Sequence, residues 1–232
     1  MAFNPNNKGY KMSSAKPLPV VLLLDVSGSM SGDKINALNA AVRKMLQEFK
    51  SFMSGEQEIL TAVITFGGEG AKLHMPYAKA ADAESAWKDL EAYGGTPLGA
   101  ALQMAKDMIE DKEFTPSPCK TIHAILVSDG MPGDNWKGPL DAFINDGRSK
   151  KALRMAMAIG DDADEDMLSQ FIEGSTDLNG SPIQLFHADS SADITKFFKN
   201  VTQSVQVSSS SPAKQASRPQ PSSSYNDDDS MD

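Results

Sequence analysis

Short apolar runs alternate along the chain with longer stretches in which apolar residues recur every three or four positions. The runs predict strands at residues 20–24, 59–66, 72–77, 121–127, 153–159 and 184–186. The longer stretches predict helices at residues 34–52, 97–111, 139–145, 164–171 and 192–205. Strands that alternate with helices form parallel sheets with right-handed crossovers. The pattern therefore predicts an α/β fold, with a mostly parallel central sheet and helices on both faces.

One predicted strand, residues 72–77, differs from the others. It contains Pro76, which has no backbone N–H to donate to a central ladder. A glycine-rich turn at residues 67–70 joins it to residues 59–66 at hairpin length. We therefore expect one short antiparallel strand at the edge of the sheet.

The composition changes at both ends of the chain. The first dozen residues are polar and Asn-rich, and the last 25 or so are rich in Ser, Pro, Gln and Asp. Such segments bury too little apolar area to offset the entropy lost on ordering. We expect a flexible segment at residues 1–16, one domain at residues 17–207 and a disordered tail at residues 208–232.

Charge and cysteine content limit the partners and the compartment. The net charge of −9 disfavours nucleic acid and anionic lipid as partners. The longest apolar run, residues 20–24, is far too short to span a bilayer. The single cysteine, Cys119, excludes an internal disulfide framework and suits a reducing compartment. We therefore expect a cytoplasmic protein with no membrane and no nucleic-acid partner.

Oxygen-bearing side chains follow two of the predicted strands. Asp25, Ser27 and Ser29 follow the first strand, and Asp129 follows the fourth. Thr96 lies in a loop that must return to the same edge of the sheet to begin the next helix. Ligands in open α/β sheets bind outside the carboxyl ends of the strands, so these three segments should meet. Hydroxyl and carboxylate oxygens suit Mg²⁺ or Mn²⁺, and the five side chains are the predicted metal ligands.

The charge of this predicted site favours an external ligand. Two carboxylates neutralise a divalent cation, whereas three hydroxyls add no charge. Mg²⁺ prefers octahedral coordination and keeps waters, so one position stays open for an outside oxygen, most favourably a partner's carboxylate. With so few charged ligands we expect a dissociation constant of about 0.1–1 mM, by analogy with weak calcium sites. At roughly millimolar free ion this stabilises the fold by only about 0.4–1.4 kcal/mol.

This ligand set resembles that of the von Willebrand factor A domains, whose metal-ion-dependent adhesion site uses the same Asp-x-Ser-x-Ser, Thr and Asp pattern. Residues 94–99 and 197–205 are also similar to the bacterial TerY-like branch, a cytoplasmic group associated with tellurite-resistance gene clusters. The resemblance implies a Rossmann-like domain that is not an enzyme but a metal-dependent protein-binding adaptor. It also implies a protein phosphatase or kinase as candidate partner, and a last helix that in some members shifts when the site fills.

A phosphatase of the haloacid-dehalogenase type is the main alternative, with Asp25 as the nucleophile. Ser128 would supply the hydroxyl of the second strand, and Lys150 or Lys151 the stabilising base. Asp161 and Asp162 would be the magnesium ligands. The acid/base Asp of such enzymes should lie two residues after the nucleophile, where this chain has Ser27. The alternative also leaves Ser29 and Thr96 without a role.

Two further alternatives use the same residues. A serine hydrolase would combine Ser27, Asp129 and His187, but its strand-to-helix elbow needs glycine two residues before the serine, where Asp25 lies. A structural scaffold would contain the metal site without using it.

Other polar groups have simpler explanations. The acidic run at residues 161–166 could hold a second ion, but capping of the next helix is the better explanation. His74, His123 and His187 share no ligand spacing and are expected to be core or surface residues. Thr96 precedes Pro97 and is also predicted to cap the helix that follows.

Overall fold

A six-stranded sheet forms the centre of the part of the chain that this computed structural model describes, residues 16–52 and 58–210. The strand order is β3-β2-β1-β4-β5-β6. Only β3 runs antiparallel to its neighbour, which confirms the predicted sheet with one antiparallel edge strand. The strands are β1 (Leu18–Asp25), β2 (Ile59–Gly67), β3 (Gly70–Lys79), β4 (His123–Ser128), β5 (Leu153–Ile159) and β6 (Phe186–Ala188).

Helices cover both faces of the sheet, as the sequence predicts. They are α1 (Asp33–Phe52), α2 (Ala80–Ala86), α3 (Leu98–Glu110), α4 (Lys137–Asn145), α5 (Glu165–Ile172) and α6 (Ser191–Ser210). One apolar core lies between the sheet and α1, α2 and α6, and the other lies between the sheet and α3, α4 and α5. Within the described ranges, no helix has the length and apolar content needed to cross a membrane.

The central strand β1 shows why its sequence is continuously apolar. Val20, Leu22 and Leu24 pack in one core, whereas Val21 and Leu23 pack in the other. Successive side chains of a strand point to opposite faces, so a strand covered on both sides needs apolar residues at every position. The apolar run ends at the buried Asp25, where the strand reaches the edge of the sheet.

Several elements differ from the sequence prediction. The edge strand β3, predicted as a short strand at residues 72–77, has ten residues and is the longest strand of the described sheet. The helix α2 was not predicted because its seven residues are too few to show a helical period. The last strand lies at Phe186–Ala188, two residues later than predicted. Helix α6 continues to Ser210, three residues past the predicted domain end, and Ser208 and Ser209 are buried. Residues 1–15 and 211–232, most of the two predicted terminal segments, lie outside the described residues.

The beginning of β4 holds the end of α6. The imidazole of the fully buried His123 has Nε2 3.3 Å from Ser204 Oγ and 3.2 Å from Ser208 Oγ. The ammonium of Lys120 donates to the carbonyl oxygens of Ser208 and Ser209. A cation at a helix C-terminus pairs with carbonyls that have no partner in the helix. These contacts explain why α6 extends beyond its apolar stripe, and they confirm His123 as a core histidine.

The acidic run begins α5, as predicted. Asp164 is the N-cap residue, and its Oδ1 accepts a hydrogen bond from Met167 N at 2.9 Å. Glu165 and Asp166 lie in the first turn, where the helix dipole favours negative charge.

Acid is expected to destabilise the fold through His123. Burial lowers the pKa of His123 from 6.5 to about 4, so between these values the unfolded chain binds the proton and the folded chain does not. Stability is full above pH 6.5 and falls as the pH drops through this window. Between about pH 7.5 and about pH 4.5, the free energy of unfolding measured in urea should fall by about 2–3 kcal/mol more for the wild type than for His123→Gln.

The comparison of the two proteins isolates His123, because other groups titrate alike in both. The exposed His187 supplies a matched control, because His187→Gln makes the same substitution outside the core. Equal pH dependence of the wild type and His123→Gln would show that the buried imidazole does not control acid stability.

Candidate metal centre

Asp25 ends β1 and is held by two hydrogen bonds. Its Oδ1 accepts from Ser27 N at 2.8 Å, and its Oδ2 accepts from Ser128 Oγ at 2.6 Å. Burial raises the pKa of Asp25 because it disfavours the charged form; the bonds from Ser128 and Ser27 oppose this rise, and the charge of Asp129 adds to it. Among the described residues no cationic side chain forms an ion pair with Asp25. A cation nearby would therefore favour its ionised form.

The turn after β1 connects to the end of β4 through hydroxyl groups. Ser27 precedes a short 3₁₀ helix, Gly28–Met30, and its Oγ lies 3.0 Å from Ser29 Oγ. Ser29 Oγ in turn donates to Asp129 Oδ1 at 2.7 Å. The alternate side chains of this turn thus face the same side, as the Asp-x-Ser-x-Ser spacing predicts. Asp129 is fully buried, whereas Ser29 is exposed.

Thr96 approaches the same place from the loop before α3. A Cβ atom placed on Gly130 would lie 3.7 Å from Ser29 Oγ and 3.9 Å from Thr96 Oγ1, so both hydroxyls lie within 4 Å of one point. The prediction that Thr96 caps α3 is wrong. The N-cap residue is Pro97, which makes no side-chain cap, and α3 begins at Leu98.

Asp134 supplies the cap that the sequence assigns to Thr96. Its Oδ1 accepts from Gly99 N at 2.9 Å, and its Oδ2 accepts from Ala100 N at 3.0 Å. Gly133 N also donates to Thr96 O at 2.9 Å. The loop after Asp129 is thereby bound to the loop that carries Thr96. Sequence analysis missed Asp134, because an acidic residue just before α4 suggests a cap for α4, and nothing local indicates a partner 35 residues upstream.

Close packing of glycines brings the Thr96 loop against β1. Gly94 has φ +68°, and a Cβ atom there would lie 2.3 Å from Gly68 Cα in the turn between β2 and β3. Gly94 O accepts a hydrogen bond from Gly28 N at 2.9 Å. A side chain at position 94 would therefore both strain the backbone and push this loop away from the turn between β2 and β3.

Lys34 contributes a positive charge that sequence analysis missed. It lies in the first turn of α1, and its Nζ donates to Asp129 Oδ2 at 2.6 Å. The Lys34 side chain is 35% exposed, whereas Asp129 is fully buried. An ammonium group at this carboxylate marks a place in the fold that accepts a cation. No local signal identified Lys34, because its partner Asp129 lies 95 residues further along the chain.

The donor set decides which cation the site fits. Its two carboxylates and three hydroxyls are all hard oxygen donors, the type that Mg²⁺ and Mn²⁺ prefer. Residues 16–52 and 58–210 contain no group of three or more His, Cys, Asp or Glu side chains placed to hold a metal ion. The five residues that the structure brings together, and that fit a divalent cation, are Asp25, Ser27, Ser29, Thr96 and Asp129.

The phosphatase alternative is not supported by the fold. Ser128 does contact Asp25, as that alternative requires. Lys150 and Lys151, however, lie in a 3₁₀ helix that precedes β5. Because β5 is parallel to β1, these lysines lie at the amino ends of the strands, whereas Asp25 lies at the carboxyl end of β1. The separation is roughly 20 Å for strands of this length. A base there cannot assist a nucleophile at Asp25.

The hydrolase alternative also fails on distance. His187 lies in β6, three strand positions from β1, which corresponds to about 14 Å at the usual spacing between strands. Its Nδ1 lies 3.3 Å from Glu165 Oε1. Ser27, Asp129 and His187 are therefore not brought together.

Comparison with known proteins agrees with the fold. Residues 20–131 match a family model described as the von Willebrand factor type A domain. The inter-alpha-trypsin inhibitor heavy chain H4 of Sus scrofa is 31% identical over 125 residues, which cover 51% of this chain and 13% of that protein. The match thus spans a small part of that relative's length.

Solved structures give the same result over more of the chain. A von Willebrand factor type A structure from Catenulispora acidiphila has a TM-score of 0.62 and 20% identity, and the match covers 83% of this chain and 43% of that one. Proximal thread matrix protein 1 from the mussel byssus, with a zinc occupied MIDAS motif, has a TM-score of 0.63 and 17% identity and covers 85% and 47%. At these identities the likeness shows the fold alone.

Removal of the Asp134 carboxylate should destabilise the junction between the two loops. Asp134→Ala leaves two amides of α3 without their acceptor, and we expect the free energy of unfolding to fall by about 1–2 kcal/mol. Urea unfolding at neutral pH measures this change. Asp141→Ala is the matched control, because the exposed Asp141 accepts only from Asn145, one turn away on α4, and should change stability by less than about 0.5 kcal/mol. Equal effects of the two substitutions would refute the assigned role of Asp134.

Proposed function

We propose that this chain, whose residues 20–131 match the von Willebrand factor type A family model, acts as a non-enzymatic, metal-dependent protein-binding module. Its partner would supply an Asp or Glu carboxylate to a divalent cation. The observation that carries the proposal is the meeting of three distant loops, which contribute two buried carboxylates and three hydroxyls at one edge of the sheet. The residues that would hold the cation are Asp25, Ser27, Ser29, Thr96 and Asp129.

The charge of the donor set supports a role in recognition. A divalent cation balances Asp25 and Asp129, and the hydroxyls add no further negative charge. When bound, the cation supplies an electrophilic centre that attracts a carboxylate from outside. Mg²⁺ and Mn²⁺ suit the hard oxygen donors. The zinc occupied motif of the mussel protein supports a divalent ion at a site of this type, without deciding which ion is resident here.

The surroundings of the site favour a large partner. Ser29 is exposed at the rim, and Met131, two residues after Asp129, has 72% of its surface exposed. Tyr93, next to Gly94 in the Thr96 loop, is 46% exposed. These positions let another protein's surface reach the rim and offer it apolar contact beside the polar centre.

The state of Asp25 argues against covalent catalysis. Both of its carboxylate oxygens accept hydrogen bonds, and the residue has no exposed surface. A nucleophile must approach its substrate, whereas Asp25 is fixed below the rim. A docking role uses such a fixed carboxylate without requiring it to move.

A narrower version of the proposal concerns pathway and location. Residues 94–99 and 197–205 resemble the TerY-like branch, so we propose a cytoplasmic bacterial setting with a protein phosphatase or kinase as the partner. This version rests on those residues and on the single cysteine. A scaffold with an unused site is distinguished from both versions because its partner capture would not respond to a chelator.

Mn²⁺ titration tests the metal site directly. By isothermal calorimetry or electron paramagnetic resonance, the wild type should bind one Mn²⁺ with a dissociation constant of about 0.1–1 mM. Thr96→Ala should weaken binding roughly tenfold, the effect of losing about 1.4 kcal/mol of interaction with the ion. Its melting temperature should stay close to wild type, because Thr96 makes no side-chain cap at α3.

Thr195→Ala is the matched control for this titration. Thr195 lies on α6, where its hydroxyl bonds only to Ser191 O, and its substitution should leave Mn²⁺ affinity unchanged. Absence of Mn²⁺ binding to the wild type would refute the proposed site, and so would equal affinity of the wild type and Thr96→Ala.

Partner capture should depend on the metal. In parallel pull-downs from the native cell extract, the partner should be retained with Mg²⁺ and lost with EDTA, and Thr96→Ala should capture less of it at equal Mg²⁺. The reason is that the cation forms part of the docking surface. Capture that persists in EDTA supports the scaffold alternative. Turnover of p-nitrophenyl phosphate that disappears in Asp25→Ala would instead establish an enzyme.

A further inference from the structure

Lys34 already provides a positive charge at the carboxylate that the proposed cation would use. Its Nζ lies 2.6 Å from Asp129 Oδ2, while Ser29 Oγ donates to the other oxygen, Asp129 Oδ1, at 2.7 Å. Asp129 is fully buried, so its charge is costly without a partner. The Lys34 ammonium therefore compensates the charge of the buried Asp129.

The position of Lys34 also allows it to leave. The residue is in the first turn of a long helix, so its backbone is fixed, but its side chain is 35% exposed. Its Nζ lies 3.9 Å from the place of a Cβ on Gly160, at the end of β5. The exposed Asp161 and Asp162 follow Gly160 directly. An ammonium that moves away from Asp129 therefore enters a solvated region with carboxylates close by.

We propose that Lys34 is a built-in competitor of the divalent cation and sets the affinity of the site for metal. The inference rests on the proposed function and adds its regulation. A divalent cation and the Lys34 ammonium would compete for the one carboxylate of Asp129. The two positive charges would also repel each other there. Metal binding includes the displacement of Lys34, and this displacement lowers the affinity.

The charge balance extends this role to the loaded site. Asp25 and Asp129 together carry two negative charges, and a divalent cation balances them. The Lys34 ammonium is then no longer needed as the counter-charge of Asp129 and can move toward the exposed Asp161 and Asp162.

The test is Mn²⁺ affinity measured by calorimetry on the full chain, without any partner. Lys34→Gln removes the charge and keeps an N–H group that can donate to Asp129. We expect it to bind Mn²⁺ roughly tenfold more tightly than the wild type, a coupling typical of two sites that share one interaction. Lys34→Arg keeps the charge and should stay close to wild-type affinity.

Lys44→Gln is the matched control. It removes the same charge from the same helix, at an exposed position ten residues further on. This corresponds to about 15 Å along the helix, beyond the screening length of about 8–10 Å at ordinary salt. Its Mn²⁺ affinity should therefore equal that of the wild type, whereas a general effect of net charge would raise it as much as Lys34→Gln does.

A second measurement uses the unaltered protein. The ¹⁵N signal of the Lys34 ammonium should be observable in NMR spectra while it is bonded to the buried Asp129, and it should be lost or shifted on addition of Mg²⁺. Equal or weaker Mn²⁺ binding by Lys34→Gln, with normal binding by the wild type, would overturn the competitor role alone. An unchanged Lys34 signal at saturating Mg²⁺ would do the same. Absence of Mn²⁺ binding to both proteins would overturn the proposed function itself.

Discussion

Two buried carboxylates at the carboxyl ends of neighbouring strands are the constraint on which the rest of this edge depends. Asp25 ends β1 and Asp129 follows β4, and both are fully buried. Like charges this deep in a protein raise its free energy unless donors or cations compensate them. Around Asp25 the compensation is two hydrogen bonds, from Ser27 N and Ser128 Oγ. Around Asp129 it is one hydroxyl and the Lys34 ammonium.

The loops at this edge are arranged to keep those groups in place. Gly94 packs on Gly68 at a distance that excludes any side chain, and Asp134 binds the first amides of α3. Each contact joins segments that are far apart in the chain. The sheet and these loop contacts therefore fix the site, whereas the partly exposed Lys34 side chain is the part that can move.

The buried His123 and the proposed metal site lie at opposite ends of β4. The strand begins at His123, whose buried imidazole lies against α6, and it ends at Ser128, which bonds to Asp25. The apolar cores on both faces lie between these ends. The cation proposed for one end would therefore contribute little to a fold that is held by the cores and by the anchoring of α6. This separation suits a module whose metal serves contact with a partner.

Periodicity alone determined the sheet and the helices on both faces, because strand and helix periods are local. It also determined where the oxygen ligands lie, because parallel strands end on the same side of the sheet. The predicted ligands converge for that reason. The tertiary structure alone decided that Thr96 leaves the cap of α3 to Asp134, and that Lys34 reaches across to Asp129. These partners are separated by 35 and 95 residues. No local pattern encodes such pairs, because they depend on how closely the loops pack, and that packing exists only after the sheet has formed.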